Sequence, residues 1–108
     1  MSKEMLQQAL VQVQAYQQQL QVVSSQKDAL NLQLIEHGKA LDELSKPSKE
    51  DVYRIMGPVL IKEKRDKAKK ELESKKEMIM LRLKTLEKSE KTLNEKLEGL
   101  KKQLTAGE

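Results

Sequence analysis

At 108 residues the chain holds one domain at most, and with no Phe, no Trp and only two Tyr it lacks the material of an ordinary globular core. It has no Cys, which excludes disulfides and thiolate metal sites. Charged residues make up 35% of the chain and the net charge is +4, placed unevenly: net −2 over residues 1–45, +1 over 46–61 and +5 over 62–108. Acidic residues are interspersed with the lysines of the basic half, so no concentrated cationic tail results. High charge with few aromatics is also the signature of disorder. Sustained heptad spacing turns the reading to coiled coil or long helix.

The first element predicted is a helix over about residues 4–45. Steps of three and four residues give Leu6, Ala9, Val13, Tyr16, Leu20, Val23, Lys27, Leu30, Leu34, His37, Leu41 and Leu44, with only Lys27 and His37 polar. A strand would alternate every second residue. The outer face is rich in Gln, an acceptable helix former that leaves the surface neutral. Gly38 costs about 1 kcal/mol relative to Ala, but Leu41 and Leu44 keep the phase. Pro47 then blocks continuation.

After a loop over 47–51 the pattern changes. Val52, Tyr53, Ile55, Val59, Leu60 and Ile61 are strand formers around a Gly57-Pro58 break. Gly57 takes positive φ readily and Pro58 fixes its own, so the chain reverses there. Two strands are predicted, about 52–56 and 59–63; the competing reading is a loop with an apolar plug. Val52, Arg54 and Met56 point to one side and Tyr53 and Ile55 to the other, so both faces carry apolar side chains. A lone hairpin is marginal in water and its open edges invite other strands. Val52, Tyr53, Ile55, Met56, Gly57, Pro58, Val59, Leu60 and Ile61 are therefore the expected oligomerisation element, joining a barrel or sheet from which the helices project.

A second helix is predicted over about 66–104, with Asp66 as its N-cap. Its stripe is Leu72, Lys76, Ile79, Leu83, Leu86, Glu90, Leu93, Leu97, Leu100 and Leu104. Gly99 is expected to weaken its end locally, and residues 105–108 to fray. Two helices joined by a short hairpin run antiparallel. Residue numbers summing to 113 match both stripes, setting Leu34 with Ile79, Leu30 with Leu83 and Tyr16 with Leu97; a sum of 120 also keeps the heptad. In the 113 register Lys27, His37, Lys76 and Glu90 must direct their polar ends outward. Helices of about 40 residues extend about 60 Å.

The chain resembles the β-class subunits of the prefoldin family. The likeness rests on Tyr16-Gln17-Gln18-Gln19-Leu20-Gln21 and Leu41-Asp42-Glu43-Leu44 in the first helix. It centres on the run from Asp51 through Val52-Tyr53-Arg54-Ile55-Met56-Gly57-Pro58-Val59-Leu60-Ile61 to Lys62. It continues through Glu71-Leu72 and Leu81-Arg82-Leu83-Lys84-Thr85-Leu86-Glu87. The helical stretches match many coiled coils; the hairpin between them is the specific part. The resemblance implies a mainly α fold, a long antiparallel two-helix coiled coil joined by a single β-hairpin, and a hexamer of two α-class and four β-class subunits with a double β-barrel body and six coiled-coil arms. It implies no ATPase activity, capture of unfolded proteins and their delivery to a cytosolic group II chaperonin. One hairpin rather than two places the chain in the β class.

With that resemblance the helix ends become the expected client surface: Met1, Met5, Leu6, Ala9, Leu10, Val13, Leu97, Leu100 and Leu104 offer apolar area to an unfolded chain. The plainer reading is that these residues close the coiled coil. Lys96, Lys101 and Lys102 are the candidate chaperonin contact; as a solvated charged face they need no partner at all. His37 is the lone histidine and has neither the co-ligands of a metal site nor the nucleophile and pocket of a catalytic one. Glu87, Glu90 and Lys91 read as surface pairs worth tenths of a kcal/mol. No catalytic, cofactor or metal constellation is found, so the chain is not expected to be an enzyme. A purely structural coiled-coil adaptor is the alternative function. Nucleic-acid binding is disfavoured by the alternating acids and scarce aromatics. A membrane partner is disfavoured by narrow apolar stripes and the lack of a spanning segment of ~20 residues. With no signal-peptide pattern the expected location is cytoplasmic.

Overall fold

The computed structural model describes residues 2–48 and 50–106. The elements follow in the order α1 (Lys3–Ser45), β1 (Val52–Met56), β2 (Val59–Glu63) and α2 (Arg65–Ala106). The protein is mainly helical: two long helices joined by one antiparallel hairpin. Both strands fall at the residues expected from the β-branched runs, and neither Gly38 nor Gly99 interrupts its helix.

Two compact units divide the chain, one made of Met1–Ala29 with Leu83–Glu108 and the other of Leu30–Arg82. In the first unit α1 and α2 pair antiparallel: Lys27 meets Glu90, and the ammonium of Lys96 lies 5.9 Å from the centre of the Tyr16 ring. Val23, Leu83 and Leu97 are its buried apolar side chains. In the second unit Ile79 is buried, with Leu34, Leu41, Leu44 and Leu72 half-buried. Every stripe position from Ala9 to Leu44, and from Leu72 to Leu104, is buried or half-buried. Leu6, the first rung of the ladder, is exposed.

Local chemistry sets the helix ends. Ser2 caps α1: its hydroxyl accepts from the Met5 N–H at 3.2 Å and its carbonyl from the Leu6 N–H at 2.9 Å, the arrangement that satisfies donors orphaned in a first turn. At the other end α1 has no basic residue in its last turn. Arg65 supplies the missing donors from outside, its guanidinium giving hydrogen bonds to the carbonyls of Glu43 and Leu44, each at 3.1 Å. Asp66 is not the N-cap of α2. The Lys64 carbonyl accepts the first helical bond, from Ala68 at 3.0 Å, so the helix starts at Arg65 and Asp66 lies inside its first turn. Its carboxylate there faces the positive end of the helix dipole.

The hairpin turn is Gly57-Pro58, with Gly57 at φ +57°. Positive φ at the first central position is the II′ pattern that suits the twist of two strands, and Pro58 occupies the second. The register runs Val52↔Glu63, Tyr53↔Lys62, Arg54↔Ile61, Ile55↔Leu60 and Met56↔Val59.

Candidate assembly hairpin and helix-end surfaces

The hairpin concentrates exposed apolar area. Tyr53, Ile55, Met56, Val59, Leu60 and Ile61 all stand in solvent, Ile55 most of all at 76% exposure. The reason is local. Each strand is five residues long, the sheet has only two strands, and nothing of the described chain covers its outer edges. Full burial of one such side chain is worth about 1.5–3 kcal/mol, so six left exposed are a large unused driving force.

The base of the hairpin is tied down by charge. Arg54 of β1 bonds the Glu63 carboxylate across the sheet at 2.6 Å and reaches Glu71 on α2 as well. Glu63 is the most buried of the three, with 12% of its side chain exposed. Lys62 pairs with Asp51 at 3.0 Å. A depression of about 460 Å³ runs beside β1, and Ala40, Leu44, Ala68 and Leu72 line it together with Tyr53 and Ile55. Sequence reasoning missed this network. Arg54 was legible only as a residue on an otherwise apolar face, and Glu71 belongs to a helix whose position over the hairpin is a tertiary fact.

The residues expected to meet clients do not share one environment. Met5, Leu6 and Leu10 are exposed. Ala9, Val13, Leu100 and Leu104 are half-buried, and Leu97 is buried at 8% exposure. Met1 lies outside the described residues. Val11, exposed at 65%, joins the N-terminal group although it is off the ladder. Leu32, Ile35, Met78 and Met80 are further apolar side chains on outer helix faces that the ladder leaves unexplained. All three candidate lysines, Lys96, Lys101 and Lys102, are exposed, and the Lys96 ammonium also lies near the Tyr16 ring.

The polar stripe residues take a course the sequence did not suggest. Lys27 and Glu90 do not diverge to solvent: the Lys27 ammonium lies 3.4 Å from both Glu90 carboxylate oxygens, with 22% and 35% of the side chains exposed. Glu90 is therefore a partner across the helix pair rather than a member of a surface pair along α2. His37 is half-buried, and an N–H at its Nδ1 donates to the Gln33 carbonyl at 2.8 Å. Among the described residues no cluster of three or more His, Asp or Glu is arranged to hold a metal ion, and no helix is long and apolar enough to cross a membrane.

Two long helices, a Gly-Pro hairpin with exposed apolar faces and an antiparallel pairing define a specific architecture. A family model described as "Prefoldin subunit" matches residues 7–107. The chain belongs to the prefoldin family, as a β-class subunit. It is 47% identical over 96 residues to prefoldin subunit beta of Thermococcus kodakarensis, covering 88% of this chain and 82% of that one. To prefoldin subunit beta of Thermococcus gammatolerans it is 41% identical over 102 residues, covering 94% and 87%. The crystal structure of the prefoldin beta subunit from Thermococcus strain KS-1 superposes with a TM-score of 0.87 at 44% identity, covering 95% of this chain and 91% of that one. Prefoldin membership agrees with both the single hairpin and the two long helices.

Proposed function

We propose that this chain is a subunit of an ATP-independent holdase that captures unfolded proteins and passes them to a group II chaperonin in the cytoplasm. It does no chemistry of its own. The observation that carries the reading is the hairpin: six exposed apolar side chains and open strand edges on ten residues belong to a chain that is completed by other subunits. The expected assembly holds two α-class and four β-class subunits, with this chain among the latter.

Client contact falls first on Met5, Leu6 and Leu10, with Val11 beside them, because these are already exposed. Ala9, Val13, Leu100 and Leu104 add area when the helix ends fray, and Leu97 only when the helices part. Lys96, Lys101 and Lys102, all exposed, present cationic groups to an acidic chaperonin surface.

Two measurements test this. Native mass spectrometry of the chain mixed with a purified α-class subunit is expected to show two α to four β; a folded monomer that stays alone overturns the assembly. Removal of residues 1–10 and 98–108 is expected to abolish suppression of aggregation of a chemically denatured client while the hexamer remains. Retained suppression removes the helix ends from the holdase role. A wild-type hexamer that never suppresses aggregation favours a purely structural adaptor.

A further inference from the structure

The first third of α2 separates its charges by face. At about 100° per residue, Lys67, Lys70, Glu71, Ser74 and Lys75 fall on one arc of about 140°, whereas Asp66, Glu73 and Glu77 gather on the neighbouring arc. Lys67, Lys70, Ser74 and Lys75 are exposed and Glu71 is half-buried. Glu71 stands four residues from both Lys67 and Lys75, the spacing at which a helix pairs opposite charges. Arg54 takes it instead, bonding Glu71 together with Glu63. Asp66 and Glu73 stand at pairing spacing from Lys70, yet neither pairs with it. Among the described residues Lys67, Lys70 and Lys75 make no ion pair. An ordinary solvated helix face mixes its charges; here one arginine from the hairpin consumes the acid that would have balanced the lysines.

Arg54, Lys70, Glu71, Ser74 and Lys75 line a depression of about 440 Å³. It sets three cations against one carboxylate, which Arg54 already holds, and adds a hydroxyl able to donate to an incoming carboxylate. The complement is therefore anionic. Its shape follows from the spacing. Lys67 and Lys75 are about 12 Å apart along the helix axis and Lys70 and Lys75 about 7.5 Å. An extended chain covers the first distance in about four residues, and its alternate side chains are about 6.6 Å apart. Nucleic acid fits less well: no aromatic ring lines the depression to stack on bases, and the Asp66–Glu73–Glu77 arc repels a polyanion that runs on across the helix.

We infer that the arc of Lys67, Lys70, Ser74 and Lys75 beside the Arg54–Glu71 pair is a docking surface for a short, extended acidic segment of a partner protein, with Asp or Glu at alternate positions. None of these lysines belongs to the hairpin, to the helix ends or to the group of Lys96, Lys101 and Lys102, so this surface is separate in sequence from those assigned to assembly, clients and the chaperonin.

Fluorescence anisotropy of a labelled octapeptide alternating Glu and Gly tests it, on the full chain and on its complex with the α-class subunit. Binding is expected at low ionic strength in both and should weaken as salt rises. Lys70→Glu with Lys75→Glu is expected to weaken it about tenfold, since each exposed contact is worth up to about 1 kcal/mol. Lys70→Gln with Lys75→Gln should fall between that variant and the wild type. Lys39→Glu with Lys88→Glu makes the same change of net charge at other exposed positions and should leave binding unchanged. Helical circular dichroism should be the same in all. A wild-type chain that does not bind the peptide overturns the inference, and so does equal loss in the two Glu variants, which would report net charge rather than a site. Tighter binding of a short thymidine oligonucleotide than of the peptide would assign the surface to nucleic acid and overturn it too. Binding by the free chain that vanishes in the complex would show the surface covered by a neighbouring subunit, with the same consequence. A chain that binds the peptide but forms no complex supports this surface and overturns the assembly reading instead.

Discussion

Leu83 and Leu60 are the same side chain in opposite circumstances: one is 9% exposed in the helix pair, the other 65% exposed in the hairpin. Both lie in regular structure, Leu83 in α2 and Leu60 in β2. The difference is what each region can cover for itself. Helices paired antiparallel give each stripe residue an apolar partner on the other helix, and a heptad repeat renews that partner every turn. Two five-residue strands have two faces and two edges and nothing to close them. Apolar residues in the helices report on self-sufficiency, and the same residue types in the hairpin report on what is missing.

The contrast can be broken by removing apolar area from each side. Leu83→Ala is expected to cost about 2–3 kcal/mol in urea unfolding followed by circular dichroism, because it opens a gap between paired helices. Leu60→Ser should leave the unfolding midpoint of the isolated chain nearly unchanged while abolishing assembly. A large stability loss from Leu60→Ser would mean that the hairpin is covered after all.

The charged residues sharpen it next. Arg54→Ala leaves the Glu63 carboxylate, the least exposed member of its network, without a cation, and should lower stability by about 1–3 kcal/mol. Arg54→Met together with Glu63→Gln should recover part of that, because two neutral groups need no counter-charge. Equal losses in the single and double variants would show that the network does not act as a unit.

The Lys27–Glu90 pair tests the helix side. Lys27→Leu alone strands Glu90 in the stripe and is expected to cost about 1 kcal/mol. The double variant Lys27→Leu with Glu90→Leu should be at least as stable as the wild type, since well-packed apolar residues often match or exceed a partly buried ion pair. Loss of stability in the double variant would assign the pair a net stabilising role.

The smallest effect is expected at the end of α1. A hydrogen bond from Lys46 at 2.9 Å, with its charge, holds the Glu43 carboxyl below the ordinary 4.5, and the same pair raises Lys46 above 10.5. The Glu43 contribution is therefore present above pH 4.5 and lost as pH falls through the lowered value; that of Lys46 is present below pH 10.5 and lost as pH rises through the raised one. Both groups are fully solvated, so Lys46→Ala should flatten these two limbs of a melting-temperature-against-pH curve only slightly. An unchanged curve would show that the pair is formed without contributing.

Much of this organisation was legible beforehand, for identifiable reasons. A 3–4 spacing over a dozen rungs admits only one face of a helix, so the buried set from Ala9 to Leu44 and from Leu72 to Leu104 followed from periodicity alone. The strands were fixed by a β-branched run on either side of a residue able to take φ +57°. The cap of α2 was misread because Asp66 has the right chemistry two residues too late; the first helical bond runs to the backbone carbonyl of Lys64, which carries no side-chain signature. Leu97 and Leu10 look alike as candidates for client contact, yet one is buried and the other exposed, because only one of them faces the opposite helix.

The sequence by itself determined the elements, their amphipathic faces and the family, since these depend on short-range spacing and on backbone preferences at Gly57 and Pro58. Tertiary structure decided which polar residues are partners. Lys27 with Glu90, Arg54 with Glu71 and Arg65 with the carbonyls of Glu43 and Leu44 are separated by many residues along the chain. Charges attract according to distance in space, and that distance is set only once the helices and the hairpin have packed.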